Sequence, residues 1–162
     1  MWENHRHSME MALPRHDAIM RQAIETHNGY VFKTVGDAFC AAFNRAHDAL
    51  LAAIDAQHRM TEEIWPADIA RLRVRMGLHS GAAIEREGDY FGPAVNRAAR
   101  VEAAAHGEQI IVTHAVEQLL VGELPGGVAL VDLGEHRLKG ISAAERLYQV
   151  AAAGLASNIP PL

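Results

Sequence analysis

The sequence has 162 residues, of which 49% are apolar and 22% are charged, and its formal net charge is −5. This length predicts one domain of ordinary size, with enough apolar residues to form a core. The acidic balance excludes binding of polyanions such as nucleic acids by the protein as a whole, but it is compatible with a local basic patch for a phosphate ligand.

Neither a membrane span nor a disulfide bond is expected. No stretch approaches the roughly 20 apolar residues that cross a bilayer, and the first residues, MWENHRHSMEM, carry charges instead of the apolar run of a signal peptide. Cys40 is the single cysteine, and we expect it to act as a small buried hydrophobic residue. These features predict a cytoplasmic protein.

The first part of the chain predicts two helices separated by a β-hairpin. In chain order the predicted elements are a helix over 3–27, strands over 30–34 and 38–43, and a helix over 44–63. Pro14 is expected near the start of a second helical segment. Gly36 is expected in the hairpin turn, and Asn44 is expected to cap the second helix.

The remaining residues predict short strands and two further helices. The predicted elements are a strand over 71–80 that GAAIERE (81–87) continues through a bend, helices over 93–105 and 114–121, and strands over 109–113, 128–140 and 145–150. The segment RLRVRMGLHS (71–80) alternates arginine with apolar residues, which is typical of a strand with one buried face. Pro93 fits the first turn of its helix.

Helices alternate with strands along the chain, and hairpins are mixed among them. This order predicts an α/β (α+β) sandwich with a mixed sheet and not a doubly wound parallel sheet. The tail AAAGLASNIPPL has small residues followed by two prolines. We therefore expect a domain over residues 1–150 and a linker over 151–162 that leads to a further domain.

Lys33 and Asp37 flank the turn of the predicted hairpin. Both residue types are common in solvated turns, so a purely structural role is one interpretation. The alternative is a ligand site, because Lys33 follows two apolar residues at the end of a strand and because a carboxylate at a tight turn suits a hard cation such as Mg²⁺.

The segment GDYFGPAVNRAAR (88–100) carries an acid, an amide and a guanidinium. Asn96 and Arg100 lie one helical turn apart on the same face, where they could contact two parts of one anionic ligand. A solvated helix face is the alternative for this pair, and a plain turn residue is the alternative for Asp89. Arg97 points about 100° away from Asn96, so we expect it to be simply solvated.

Lys139 lies in the segment EHRLKG, between an apolar residue and a glycine. It is predicted late in a strand, where a lysine is either an exposed edge residue or a phosphate contact.

The segments VFKTVGDAFCAAF, MGLHSGAAIEREGDYFGPAVNRAARVEAAAHGEQIIVT and DLGEHRLKGISAAERLYQV occur in this order. Together they resemble the catalytic domain of class III nucleotidyl cyclases, most nearly the bacterial adenylate cyclase domains that precede ATPase or regulatory modules. The resemblance covers residues 2–150. No single segment decides it, but three in the same order and at the same separation are specific.

The resemblance implies a ferredoxin-like α/β core that works as a homodimer, with active sites completed by both chains. It also implies the conversion of ATP to 3′,5′-cyclic AMP and pyrophosphate. In this reaction the ribose 3′-oxygen attacks the α-phosphorus while two ions, Mg²⁺ or Mn²⁺, stabilise the attacking and leaving oxygens.

Residue by residue, the resemblance implies the following roles. Lys33 and Asp89 match the pair that recognises the purine, and their chemistry suits adenine, since a lysine donates to ring N1 and a carboxylate accepts from the 6-amino group. Asn96 matches the residue that orients the ribose, and Arg100 matches the one that stabilises charge on the phosphate. The polyphosphate contact is matched by Lys139. The second metal-binding aspartate is matched by Asp37.

One family motif has no counterpart in this sequence. Family domains begin with a strand ending in a motif like Phe-Thr-Asp-Ile-Glu-Gly-Ser-Thr, whose aspartate is the first metal ligand, whereas MWENH already matches the following helix. Two interpretations stay open: a piece of an active adenylate cyclase, or a catalytically dead cyclase-like module that regulates, dimerises or only binds nucleotide. In either case residues 1–162 alone are expected to have little or no cyclase activity.

Overall fold

The computed structural model describes residues 2–69 and 71–162. Its helices and strands alternate as predicted. In chain order they are α1 (Trp2–Thr26), β1 (Tyr30–Val35), β2 (Ala38–Ala42), α2 (Ala46–Glu62), β3 (Met76–Leu78), β4 (Ile84–Arg86), β5 (Asp89–Phe91), α3 (Pro93–Ala104), β6 (Ile110–Thr113), α4 (His114–Leu120), β7 (Ala129–His136) and β8 (Glu145–Ala151). No helix of the described ranges is both long and apolar enough to cross a membrane.

The main sheet has four strands in the order β3-β6-β8-β7. Strand β3 runs parallel to β6, with Met76 opposite Ile110, while β8 is antiparallel to both β6 and β7. Two further antiparallel hairpins, β1-β2 and β4-β5, form separate two-stranded sheets. The predicted mixed, mainly antiparallel sheet with flanking helices is therefore confirmed.

Helix α1 is one continuous helix, so the predicted second segment after Pro14 is wrong. Pro14 lies inside the helix, with buried apolar residues on both sides of it, namely Ala12 before it and Ile19 after it. Packing against α2 holds both halves of α1 in one direction, which offsets the backbone hydrogen bond that a proline cannot make.

The larger apolar core lies between the helices α1, α2 and α4 and the main sheet. Its buried members include Met20, Leu50, Ile110, Val116 and Val150. A second, smaller core lies beneath α3 and consists of Val101, Ala105, Ile111, Leu138 and Leu147.

The predicted strand over 71–80 is much shorter in the structure, where only Met76–Leu78 pairs as β3. The preceding residues keep the predicted alternation, with exposed arginines at odd positions. The Val74 carbonyl accepts from the backbone N–H of Glu108 and from Gln57 Nε2, both at 2.8 Å. Residues 71–75 therefore form isolated hydrogen bonds and no continuous strand pairing. The reason is that β6, the partner of β3, begins only at Ile110, opposite Met76.

Two local predictions are corrected by the structure. GAAIERE does not continue β3, because β4 turns back and pairs with β5, with Arg86 opposite Asp89. The N-cap of α2 is Arg45 and not Asn44. Arg45 takes the extended backbone of a cap, and its carbonyl accepts the N–H of Ala49 at 3.2 Å.

The C-terminal segment after β8 lies against the domain. His58 Nε2 contacts the Ala153 carbonyl at 2.9 Å, and His106 Nε2 contacts the Pro161 carbonyl at 3.1 Å. Leu162 packs against the smaller core. The role of 151–162 as a linker to a further domain stays a prediction.

Candidate active site

The β1-β2 hairpin presents Lys33 on a strand and Asp37 in the turn. The turn has two residues, and Gly36 takes a φ of +60° at its first position, where hairpins select glycine because other residues are strained there. Lys33 lies opposite Cys40 in the hairpin register. The predicted hairpin and its turn glycine are confirmed.

Cys40 was expected to be buried, but in the structure it is only half-buried. Burial raises the pKa of its thiol, an effect that the nearby Lys33 ammonium opposes. The neutral thiol therefore behaves as the small hydrophobic residue that the sequence predicts.

The structure brings Lys33 and Asp89 together. Lys33 Nζ lies 3.2 Å from Asp89 Oδ2, and the two side chains are 40% and 26% exposed. Asp89 was expected in a loop, but it is the first residue of β5, and its Oδ1 accepts the Tyr90 backbone N–H at 2.8 Å. That bond fixes one carboxylate oxygen and leaves the other to face the lysine.

Aromatic contacts dock the two small hairpins against each other and so create this pair. Phe32 and Tyr90 pack edge to face with ring centroids 5.1 Å apart, and the Tyr30 hydroxyl donates to the Gly88 carbonyl at 3.2 Å. The Phe91 ring lies 5.3 Å from the Lys33 ammonium, within cation–π range.

Helix α3 presents Asn96 and Arg100 to solvent. The helix begins at Pro93, as predicted, and the Asn96 N–H bonds to the Gly92 carbonyl at 3.2 Å. Both side chains are exposed, whereas Val101 on the same helix is buried. Their exposure leaves both polar groups available to a ligand.

Lys139 lies in a turn whose next residue, Gly140, approaches Arg100, and not late in a strand as predicted. Strand β7 ends at His136, and Lys139 is in the turn that follows, because Leu138 enters the smaller core and Gly140 reverses the chain with a φ of +77°. Val101 belongs to the same core. A Cβ atom added to Gly140 would lie 4.0 Å from Arg100 Nε, so the arginine runs along the Lys139 turn.

Asp37 is exposed at the tip of the β1-β2 hairpin, and it makes no ion pair with any side chain of residues 5–69 or 71–162. Within the same ranges no three His, Cys, Asp or Glu side chains cluster in a way that could hold a metal ion. One carboxylate can supply a ligand to a hard cation, but the described residues do not fit a two-ion site by themselves.

The prediction that Arg97 is simply solvated is wrong. Arg97 Nη1 donates to Glu145 Oε2, and the two side chains are only 30% and 12% exposed. The helical angle of Arg97 shows that it leaves the face of Asn96, but it does not show which residue it meets. No local signal links it to Glu145, which follows the Lys139 turn.

His79, which the sequence did not single out, lies next to this ion pair. Its Nδ1 is 2.8 Å from the hydroxyl oxygen of the fully buried Thr113. Burial lowers the pKa of His79, the Glu145 carboxylate opposes this shift and the Arg97 guanidinium reinforces it.

Comparisons with known proteins show which family the chain belongs to. A protein of Mycobacterium tuberculosis described as uncharacterised is 36% identical over all of this chain and 55% of its own length, so the chain spans about half of that relative. An adenylate cyclase of Mycosarcoma maydis is 36% identical over 76% of this chain and 6% of its own length. A structure of Trypanosoma brucei adenylate cyclases in their monomeric state superposes with a TM-score of 0.84 and 24% identity, covering 99% of this chain and 86% of that one. The family model of the adenylate and guanylate cyclase catalytic domain matches residues 1–152, and the chain belongs to this family.

Proposed function

We propose that this domain is an adenylate cyclase, which converts ATP to 3′,5′-cyclic AMP and pyrophosphate. The observation that carries the proposal is the Lys33–Asp89 pair, whose charged atoms lie 3.2 Å apart while both stay partly open to solvent. The name of the Mycosarcoma maydis relative points in the same direction.

The chemistry of this pair favours adenine over guanine. Adenine presents an acceptor at N1 beside a donor at its 6-amino group, which match the lysine ammonium and the aspartate carboxylate. Guanine presents the reverse pattern, with a donor at N1 and an acceptor at O6, so a guanine base would face like groups at both positions. A site that leaves buried polar groups unpaired rejects the wrong ligand strongly.

The other candidate residues would act on the ribose and phosphates. During the reaction the 3′-hydroxyl loses its proton, a bond forms from the 3′-oxygen to the α-phosphorus, and the bond from that phosphorus to the oxygen bridging to the β-phosphate breaks. Asn96 would orient the ribose, Arg100 would stabilise the negative charge that builds up on the α-phosphoryl oxygens, and Lys139 would hold the departing pyrophosphate.

The proposed site lies at a homodimer interface, as in the family, whose domains work as dimers. Asp37 is exposed at the hairpin tip, and in a dimer it would serve the site of the partner subunit. Divalent ions, Mg²⁺ or Mn²⁺, supply charge neutralisation to the family reaction, and Asp37 would offer one ligand. A second candidate function, nucleotide binding without turnover, is favoured by the absence of any three-residue metal cluster among the side chains of residues 5–69 and 71–162.

The test reverses the polarity of the base pair. We expect wild-type residues 1–162 to bind an ATP analogue more tightly than the matching GTP analogue in isothermal titration calorimetry. In the double variant Lys33→Glu/Asp89→Lys the ion pair is kept, but the acceptor and donor are exchanged. Its preference should shift toward the GTP analogue by about 10- to 100-fold, the worth of hydrogen bonds to charged groups.

The single variant Lys33→Glu is the control, because it places two acids together and should weaken both nucleotides. Equal affinity of the wild-type protein for the two analogues, or an unchanged preference in the double variant, would refute adenine recognition by this pair.

A further inference from the structure

The ion pair between Arg97 and Glu145 joins the two elements that carry the proposed phosphate-binding groups. Arg97 is in α3, next to Asn96 and one turn before Arg100. Glu145 is the first residue of β8. It directly follows residues 137–144, the turn segment that links β7 to β8 and contains Lys139. The pair therefore spans from the helix to the far end of that segment.

Burial makes this pair different from the exposed ion pairs of the surface. The Glu145 side chain is only 12% exposed, and the Arg97 side chain is 30% exposed. A carboxylate removed from water to this degree requires a charged partner. By contrast, the next residue, Arg146, pairs with Asp132 through side chains that are 45% and 44% exposed, and exposed pairs contribute little to structure.

The same two elements also meet beneath and beside this ion pair. Val101 of α3 and Leu138 of the turn segment are both buried in the smaller core, and Arg100 Nε approaches Gly140. The apolar contacts bring the elements together but allow them to slide, because dispersion has no direction. A hydrogen-bonded ion pair has direction and fixes how they are set along each other.

We propose that Arg97 and Glu145 are positioning residues that set the separation between Arg100 and Lys139, and hence the affinity for the triphosphate. The inference rests on the proposed function. It assigns no ligand contact to either residue. It requires that breaking the pair should weaken binding of the triphosphate and spare the base, because Lys33 and Asp89 lie on the separate small hairpins.

The experiment measures the affinity of residues 1–162 for α,β-methylene-ATP and for adenosine in the presence of Mg²⁺. The variants Arg97→Gln and Glu145→Gln should each weaken the triphosphate analogue by about tenfold, a coupling typical of one network, and leave adenosine unchanged. The charge-exchanged double variant Arg97→Glu/Glu145→Arg should recover most of the loss. Arg97→Lys, which keeps the charge but not the planar fork, should fall between wild type and Arg97→Gln.

Glu145→Gln separates positioning from simple charge. Removal of a negative charge would strengthen binding of an anion if only long-range attraction mattered, whereas positioning predicts weaker binding. Arg146→Gln and Asp132→Asn are matched controls, since they make the same charge changes in the exposed pair between Arg146, which follows Glu145, and Asp132. They should leave both affinities unchanged.

Each outcome decides a different claim. Tighter binding by Glu145→Gln, equal loss of adenosine and triphosphate, or no recovery in the exchanged double variant would overturn the positioning role alone. A wild-type protein that binds neither probe would overturn the proposed function, and the positioning role with it.

Discussion

The surroundings of His79 disfavour its protonated form. Burial lowers the pKa of His79. The Glu145 carboxylate opposes this shift and the Arg97 guanidinium reinforces it. The His79 ring also contacts the buried Thr113 hydroxyl. In the unfolded chain the same histidine would titrate near its usual value of about 6.5. The unfolded state therefore binds the proton more readily than the folded state does.

This difference predicts a loss of stability in mild acid. The contribution of His79 is fully present above about pH 6.5 and falls as the pH drops through the unfolded pKa toward the lower folded one. The variant His79→Asn has no titrating group at this position. As the pH falls from about 7.5 to 5.5, we expect the unfolding free energy of the wild-type protein to decrease relative to that of the variant. Urea unfolding at both pH values measures it.

The comparison with His79→Asn removes the contributions of the other histidines, which both proteins share. Parallel pH dependence in the two proteins would show that His79 takes up its proton equally in the folded and unfolded states.

The candidate residues differ in how far the sequence could predict them. Lys33, Asp89, Asn96 and Arg100 were found because their types and spacing match a family pattern, and the structure adds that the first two pair at 3.2 Å. The role of Arg97 was missed because its partner lies in a distant part of the chain. Helical periodicity gives the direction in which a side chain points, but it does not give the residue that the side chain contacts.

At the scale of elements, α3 is positioned by its close approach to β3. A Cβ atom at Gly77 would lie 2.4 Å from the Glu102 backbone nitrogen and 2.8 Å from its Cα. These contacts are with backbone, so a side chain at Gly77 could be accepted only by moving the helix. On the same helix Glu102 also accepts from Arg75 Nε at 2.7 Å.

Gly77→Ala should therefore act on both stability and nucleotide binding. We expect a loss of about 1–3 kcal/mol in unfolding free energy, typical of overpacking, and weaker binding of α,β-methylene-ATP, because α3 carries Asn96 and Arg100 away from the Lys139 turn. Thermal unfolding and calorimetry measure the two effects.

Gly126→Ala is the matched control, since a Cβ atom at Gly126 meets nothing within 4 Å, and it should change neither property. Wild-type stability and affinity in Gly77→Ala would mean that α3 adjusts freely and that its position on β3 does not matter.

The elements that were predicted correctly are those whose signals are local. The β1-β2 hairpin follows from a glycine turn between apolar runs, and α3 follows from its initial proline and helical spacing. Pairing of β4 with β5, and the end of β7 before Lys139, depend on tertiary contacts. In particular, burial of Leu138 turns the chain away from the strand that its sequence favours.

At the scale of the whole molecule, the chain offers more groups for binding the nucleotide than for binding metal ions. The groups proposed to bind the nucleotide all come from one chain: Lys33 is on β1, Asp89 on β5, Asn96 and Arg100 on α3, and Lys139 in the turn after β7. Asp37 is the one residue proposed as a metal ligand, and the side chains of residues 5–69 and 71–162 contain no three-residue metal cluster. We therefore expect binding and turnover to be separable properties of these residues.

This separation predicts that residues 1–162, tested as a protein of their own, bind the ATP analogue but produce little or no cyclic AMP from ATP. The physical reason is that in-line displacement at phosphorus needs the attacking and leaving oxygens stabilised together, and one carboxylate cannot fix two ions for that purpose. Chromatographic measurement of cyclic AMP and pyrophosphate with Mg²⁺ or Mn²⁺, over a range of protein concentrations, tests this.

Asp37→Asn sharpens the same measurement. Its adenosine affinity should equal that of the wild-type protein, because Lys33 pairs with Asp89 and not with Asp37. Robust metal-dependent turnover by the wild-type protein that Asp37→Asn abolishes would contradict the prediction. It would mean that dimerisation alone brings enough ligands to the ions, and the regulatory alternative would then lose its structural support.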